Sequence, residues 1–144
     1  MSNLRFSINS KSETPARTEI ETRGFKFIVD EPAELGGTNL APNPVEYILA
    51  GYAGCINVVA HITAKELNID LKDLQIDIEG DLNPARLFGT SFTERAGYQQ
   101  LTVSLKTKTN IDEILKTKWL QEIENRCPVN DNLRNVTPIN FSLN

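Results

Sequence analysis

Apolar and polar residues alternate in three short stretches near the start of the chain. The alternating positions are Leu4, Phe6 and Ile8, then Thr18, Ile20 and Thr22, and finally Phe25, Phe27 and Val29. A period of two is typical of strands that bury one face. The pattern therefore predicts two or three antiparallel strands. A tight turn is expected at Arg23 and Gly24, because glycine accepts a positive φ without steric cost.

A long apolar segment follows, and it begins with three signals for the start of a helix. Asn43 can act as the N-cap, Pro44 suits the first helical position, and Glu46 can reach back to the cap. The helix is expected to run to about Leu67 and to be closed by Asn68 in the left-handed conformation. It would have roughly 24 residues, with apolar side chains on almost every side. These features predict the central element of the fold, buried inside protein.

Residues 47–64 of this segment carry no charge, and their number approaches that of a membrane span. The segment also contains the polar residues Asn57, His61 and Thr63, and the sequence has no second apolar segment of this kind. We therefore expect a helix buried in protein and no membrane partner.

The rest of the chain shows further strand patterns and one more helical pattern. Strands are predicted at Leu74, Ile76 and Ile78, at Leu101, Val103 and Leu105, and at Ile139, Phe141 and Leu143. A second amphipathic helix is expected from Asp112 to about Cys127, because the residue before Pro128 is disfavoured in a helix. The segments 30–42 and 80–97 lack periodicity and are predicted to be loops, the second a candidate lid.

Strands before and after two helices, joined by hairpins, predict an α+β fold. A chain of 144 residues can bury a core without disulfides, so residues 1–144 are predicted to form a single domain. The 15 basic and 19 acidic residues give a net charge of −4, which argues against a nucleic-acid partner. The N-terminus lacks the apolar run of a secretory signal, so a cytoplasmic location is expected, where thiols are kept reduced.

The sequence offers little for metal or cofactor chemistry. It has one histidine, His61, six residues from Cys55 on the predicted helix, so the two side chains would point to different sides. We interpret His61 as a polar group satisfied inside the core. The sequence has no CxxC, HExxH or third cysteine and no glycine-rich phosphate loop, so neither a metal site nor a cofactor is predicted.

Cys55 and Cys127 remain as candidates for chemistry. Each could be a small apolar core residue. Small residues surround Cys55, namely Ala50, Gly51, Ala53 and Gly54, which would leave room around its sulfur. The second helix, which ends at Cys127, is the natural packing neighbour of the first. Two thiols that meet across a helix pair in a reducing compartment suggest a disulfide that forms and is reduced in turn.

Four sequence segments carry a resemblance to a known family. They are PAELGG at 32–37, NPVEY at 43–47, AGYAGC at 50–55 and CPV at 127–129. With them the chain resembles the OsmC/Ohr family of osmotically induced and organic hydroperoxide resistance proteins, in its general OsmC-like branch. The likeness extends from about Gly24 to Leu143.

The resemblance implies an OsmC-like fold, in which an antiparallel sheet packs on a long buried helix and a second helix. It also implies an intertwined homodimer with active sites at the subunit interface. The implied activity is that of a thiol peroxidase. Cys55 would attack an organic hydroperoxide and become a sulfenic acid, Cys127 would condense with it to a disulfide, and an external dithiol would reduce that disulfide.

The family also implies an arginine that activates the first cysteine. In the hydroperoxide resistance branch a glutamate holds this arginine, and its position falls at Val45 here, whereas general OsmC-like members have a glutamate at the position of Glu46. Glu46 is therefore a candidate catalytic residue as well as a capping residue. The candidate arginines are Arg17, Arg23 and Arg86.

Two other functions remain open on the sequence. The chain could be a non-catalytic OsmC-like dimer that binds a small apolar ligand at the subunit interface, with both cysteines as packing residues. It could also be a purely structural stress protein.

Overall fold

The computed structural model describes residues 2–143, so Met1 and Asn144, the two ends of the predicted domain, lie outside the described residues. The described residues form the strands β1 (Asn9–Ser12), β2 (Thr18–Thr22), β3 (Phe25–Val29), β4 (Gln75–Asp81) and β5 (Gln100–Lys106), and the helices α1 (Pro44–Glu66), α2 (Glu113–Arg126) and α3 (Pro128–Arg134). This order of elements confirms the α+β class. The chain divides into two compact units between Ile48 and Leu49.

The first unit contains an antiparallel sheet in the order β1-β2-β3. The turn between β2 and β3 lies at Arg23 and Gly24, whose φ angles are 49° and 84°, and it brings Thr22 opposite Phe25. The prediction of a tight turn there is confirmed. Two consecutive residues with positive φ suit the right-handed twist of a two-residue hairpin.

The loop after β3 is organised around the buried carboxylate of Asp30. This side chain accepts hydrogen bonds from the Thr38 hydroxyl at 2.6 Å, the Leu40 amide at 3.1 Å and the Glu31 amide at 2.9 Å. The bond from Thr38 is the main reason that the pKa of Asp30 falls to about 2. A Cβ at Gly37 would collide with the Glu31 carbonyl oxygen, so the turn requires glycine there. The predicted loop is confirmed, except that residues 33–35 form a 3₁₀ turn.

Helix α1 begins at the predicted capping box. The Glu46 amide donates to Asn43 Oδ1 at 2.9 Å, and the Asn43 amide donates to Glu46 Oε2 at 2.8 Å. Two donors that the first helical turn leaves unpaired are thereby satisfied. At the other end, Asn68 adopts the predicted left-handed conformation with φ of 57°.

The second unit has its core between α1 and α2. Trp119, which is 2% exposed, donates its indole N–H to the Ala60 carbonyl at 3.0 Å. Ile56 and Val59 of α1 and Ile123 of α2 belong to the same buried cluster. Strands β4 and β5 form an antiparallel hairpin, and their alternating half-buried residues pack against this cluster.

Within this one chain only one face of α1 is buried, so the prediction of a helix buried inside protein is met on one side. Val58 is 56% exposed and Ile62 is 46% exposed. His61 is also exposed, so its interpretation as a core residue is wrong for this chain. Its Nδ1 lies 2.8 Å from the carbonyl oxygen of Asn57. The physical reason is that α2 covers only one side of the helix. By length and composition alone, α1 is also long and apolar enough to cross a membrane.

Two predicted strands are absent from the described residues. Leu4, Phe6 and Ile8 are exposed and lie outside regular structure, as do Ile139, Phe141 and Leu143. The first sheet still has three strands, within the predicted two or three, but its first strand is Asn9–Ser12 instead of the segment from Leu4 to Ile8. The predicted strand at 139–143 is not formed. An alternating pattern gives a segment the capacity to form a strand, but the strand forms only beside another strand that supplies hydrogen bonds.

Candidate two-cysteine site

Two elements far apart in the sequence bring two thiols together. Cys55 lies half-buried in the middle of α1, and Cys127 is 1% exposed between α2 and α3. The Cys127 thiol donates to Cys55 Sγ, and the two sulfurs are 2.8 Å apart. Both cysteines are free, so the pair is a dithiol.

The local sequence explains why Cys127 stands at a junction. Pro128 has no amide hydrogen and restricts the residue before it, so α2 ends at Arg126 and α3 starts at the proline itself. Cys127 therefore caps the C-terminus of α2 and the N-terminus of α3. Its amide donates to the Ile123 carbonyl at 3.2 Å, and its sulfur accepts the Asn130 amide at 3.4 Å.

The surroundings of Cys127 keep its proton in place. Burial raises the pKa of the Cys127 thiol above its ordinary value, because a thiolate is poorly solvated there. The hydrogen bond to Cys55 raises this pKa further, while the Asn130 amide acts in the opposite direction. Burial thus keeps Cys127 protonated, as the donor in its contact with Cys55.

A second polar contact joins the same two elements next to the sulfurs. The Tyr52 hydroxyl donates to Asn130 Oδ1 at 2.7 Å, and Asn130 Nδ2 donates to the Glu124 carbonyl at 2.8 Å. Burial, followed by the nearby Cys127, raises the pKa of Tyr52, so its hydroxyl remains a donor. Sequence reasoning missed Tyr52 and Asn130. Their spacing of three from each cysteine was the available signal, since helical residues three apart share a face.

Two glycines leave one side of α1 open near Cys55. A Cβ built on Gly51 or Gly54 would meet no atom within 4 Å. Together with Val58 and Ile62 they form one stripe, which we call the open face of α1. The small residues predicted to leave room beside the sulfur are therefore present along a surface that is free in the isolated chain.

A model of the family described as OsmC-like protein matches residues 37–142. The chain belongs to the OsmC-like family. A search of curated proteins gave no match for this OsmC-like chain.

Solved structures show that the OsmC-like chain has the fold of this family. The OsmC-like protein of Mycoplasma pneumoniae is 17% identical with a TM-score of 0.80, and the match covers 94% of this chain and 91% of that one. An organic hydroperoxide resistance protein OsmC of Legionella pneumophila is 22% identical with a TM-score of 0.66, covering 93% and 92%. An organic hydroperoxide resistance protein of Elizabethkingia anophelis is 18% identical with a TM-score of 0.67, covering 92% and 90%.

The other predicted site residues of the OsmC-like chain have local partners. Glu46 is exposed, and its carboxylate closes the capping box. Arg17 pairs with Glu13 at 2.8 Å, and Arg23 lies over the Phe25 ring. These three groups belong to the first unit.

Arg86 is engaged inside the 82–99 loop of the second unit. Its Nε donates to the Glu94 carbonyl at 2.7 Å, another guanidinium nitrogen donates to the Phe92 carbonyl, and the group also lies over the Phe92 ring. The guanidinium of Arg86 is therefore used to hold its own loop together.

The described residues contain no group of three or more histidine, cysteine, aspartate or glutamate side chains that could hold a metal ion. The first unit of the OsmC-like chain does contain an open cleft of about 420 Å³. Phe27, Leu40 and Tyr47 line it together with the charged Glu19 and Lys26. Such a surface could accept a small apolar group.

Proposed function

We propose that this protein is a cysteine-based thiol peroxidase that reduces organic hydroperoxides. The observation that carries the proposal is the pair of free thiols whose sulfurs are 2.8 Å apart. Membership of the OsmC-like family and the fold shared with organic hydroperoxide resistance proteins support it. We also propose a cytoplasmic location, because the disulfide must be reduced after each turnover.

Cys55 is assigned as the attacking cysteine. It is more exposed than Cys127, so a hydroperoxide can reach it more easily. It also accepts the hydrogen bond that the Cys127 thiol donates at 2.8 Å. Cys127 holds its own proton, because burial raises its pKa. The more accessible sulfur is therefore the one on α1.

The proposed reaction has two chemical steps, oxidation of Cys55 and formation of the disulfide. The Cys55 thiolate attacks the terminal oxygen of the hydroperoxide, the O–O bond breaks, and the alkoxide takes a proton to leave as an alcohol. Cys55 is now a sulfenic acid. The Cys127 sulfur then attacks the Cys55 sulfur, the S–O bond breaks, and the thiol proton leaves with the hydroxyl as water. An external dithiol reduces the disulfide and restores both thiols.

A homodimer is part of the proposal. The open face of α1 exposes Val58 and Ile62 beside two glycines, which permits close approach of a second helix. A second copy would bury this face. It could also offer strand edges to the two terminal segments whose alternating pattern has no strand partner in the described residues of one chain. Neither a membrane nor a nucleic acid is part of the proposal.

Two cysteine variants test the reaction. Cys55→Ser should abolish consumption of cumene hydroperoxide, whereas Cys127→Ser should allow a single oxidation of Cys55 and then stop. Stopped-flow kinetics would follow the peroxide, and mass spectrometry would detect a sulfenic acid at Cys55 in the Cys127 variant. If the wild type and both variants consume the peroxide at the slow rate of a free thiol, the proposal is wrong.

A second candidate is a non-catalytic dimer that binds a small apolar ligand. The cleft lined by Phe27 and Tyr47 favours it, as does Val45, which stands where the hydroperoxide resistance branch has a glutamate. In that case apolar ligands should bind the Cys55→Ser variant as tightly as the wild type, and neither should turn over hydroperoxide.

A further inference from the structure

Two parallel contacts cross the interface between α1 and the turn that joins α2 to α3. One is the contact of Cys55 with Cys127 at 2.8 Å, and the other is the hydrogen bond of Tyr52 to Asn130 at 2.7 Å. On each element the two residues are three positions apart, so the polar contact lies one helical turn from the thiols. Movement of one pair relative to the other would require α1 to shift against this turn.

Asn130 is held in one orientation. Its Oδ1 accepts from Tyr52, and its Nδ2 donates to the Glu124 carbonyl in the last turn of α2. Exchange of the oxygen and nitrogen would place two acceptors, Asn130 Oδ1 and the Glu124 carbonyl oxygen, against each other. The side chain is 7% exposed, so water could not readily replace a lost partner.

The same residue also reaches the reacting sulfur through its backbone. The Asn130 amide donates to Cys127 Sγ at 3.4 Å, and the residue lies in the first turn of α3. Its side chain is fixed on one side by α1 and on the other by α2. The orientation of this amide, and with it the placement of the Cys127 sulfur, is therefore tied to the Tyr52 hydroxyl.

We propose that Tyr52 and Asn130 are positioning residues that hold the Cys127 thiol in line for disulfide formation with Cys55. This rests on the proposed function, in which Cys127–SH and Cys55–SOH give the disulfide and water. The pair does not take part in the first step, in which the hydroperoxide meets Cys55. Loss of the pair should slow the second step and leave the first unchanged.

The test separates disulfide formation from peroxide chemistry. Reduced protein is oxidised with diamide, samples are quenched with an alkylating reagent, and mass spectrometry counts the remaining free thiols over time. Tyr52→Phe should form the disulfide about 10- to 100-fold more slowly than the wild type, the loss expected for a reacting group misplaced by about 1 Å. With one equivalent of cumene hydroperoxide, the same variant should form the Cys55 sulfenic acid at the wild-type rate and keep it longer.

Thr63→Val is the matched control. Thr63 also lies on α1, and its buried hydroxyl donates to the Val59 carbonyl at 2.9 Å, so the variant removes another buried hydroxyl hydrogen bond on the same helix. It should form the disulfide at the wild-type rate. Thermal unfolding of each variant establishes that it is folded.

A second variant, Asn130→Ser, removes the other partner of the same hydrogen bond and so tests the inference without relying on Tyr52→Phe. If the pair acts as a unit, the double variant should be no slower than either single one. An unchanged diamide rate in Tyr52→Phe, or losses that simply add in the double variant, would overturn the inference. A wild type that closes the disulfide with diamide but ignores hydroperoxide would overturn the peroxidase proposal alone.

Discussion

Oxidation of the thiol pair should stabilise the folded protein strongly. Cys55 and Cys127 are 72 positions apart, so a bond between them closes a long loop in the unfolded chain. The chain-entropy relation gives about 4 kcal/mol for a loop of this length. The sulfurs are already 2.8 Å apart, so they need to move only about 0.8 Å to reach a bonded separation. Little of the gain should therefore be lost to distortion of the folded state.

Differential scanning calorimetry can measure this gain. Wild-type protein is compared in its reduced and diamide-oxidised forms at the same protein concentration, since a dimer would make the melting temperature depend on concentration. For a chain of this size, about 4 kcal/mol corresponds to a rise in melting temperature of roughly 13 °C. Cys127→Ser treated with the same oxidant is the control and should show no rise.

The outcome that would refute the reasoning is an intramolecular disulfide, verified by mass spectrometry, with an unchanged or lower melting temperature. In that case the strain free energy that the disulfide adds to the folded state would equal or exceed the free energy gained by restricting the unfolded chain. The reduced arrangement of the two helices would then not be the arrangement that accommodates the disulfide.

Four further predictions concern the rest of the chain. Glu46→Gln should lower stability by about 1 kcal/mol in thermal unfolding with turnover kept, because its carboxylate caps α1, and loss of turnover without loss of stability would contradict this. Asp30 stabilises the fold as a carboxylate, so melting temperature should fall as pH drops from 3.8 towards about 2, and Asp30→Asn should flatten that fall. The wild type should sediment as a dimer at micromolar concentration, and Val58→Glu on the open face should give monomers whereas Ile114→Glu, at another exposed position, should not. Arg86→Met should leave the rate of Cys55 oxidation unchanged, since its guanidinium bonds to carbonyls of its own loop; a large fall would show that it acts on the thiol.

Features governed by neighbouring residues were predictable from the sequence. The capping box of Asn43 and Glu46 and the left-handed Asn68 each depend on a few consecutive residues, and both are present. The end of α2 before Pro128 was predictable for the same reason. The sequence also indicated that Cys127 would lie near Cys55, but not that one thiol donates to the other.

Features that depend on a distant partner were not predictable. The terminal segments around Phe6 and Phe141 have a strand pattern, yet the pattern does not show which edge they would join. The exposure of His61 follows from the single face that α2 covers on α1. The Tyr52 bond to Asn130 joins residues 78 positions apart. Each lies three residues from a cysteine, but the sequence does not show that the two side chains meet.

The loop between β4 and β5 is a separate small structure with consequences for how such a chain can diverge. The Gln99 amide donates to the Asp81 carbonyl at 2.8 Å at its base, and Arg86 bonds to carbonyls within it. Leu87 and Phe88 of this loop are exposed. Because these hydrogen bonds lie within the loop, replacements there need not alter the contacts between the helices that carry the thiols. Evolution can thus change what this surface contacts while the dithiol and its supporting hydrogen bonds stay the same.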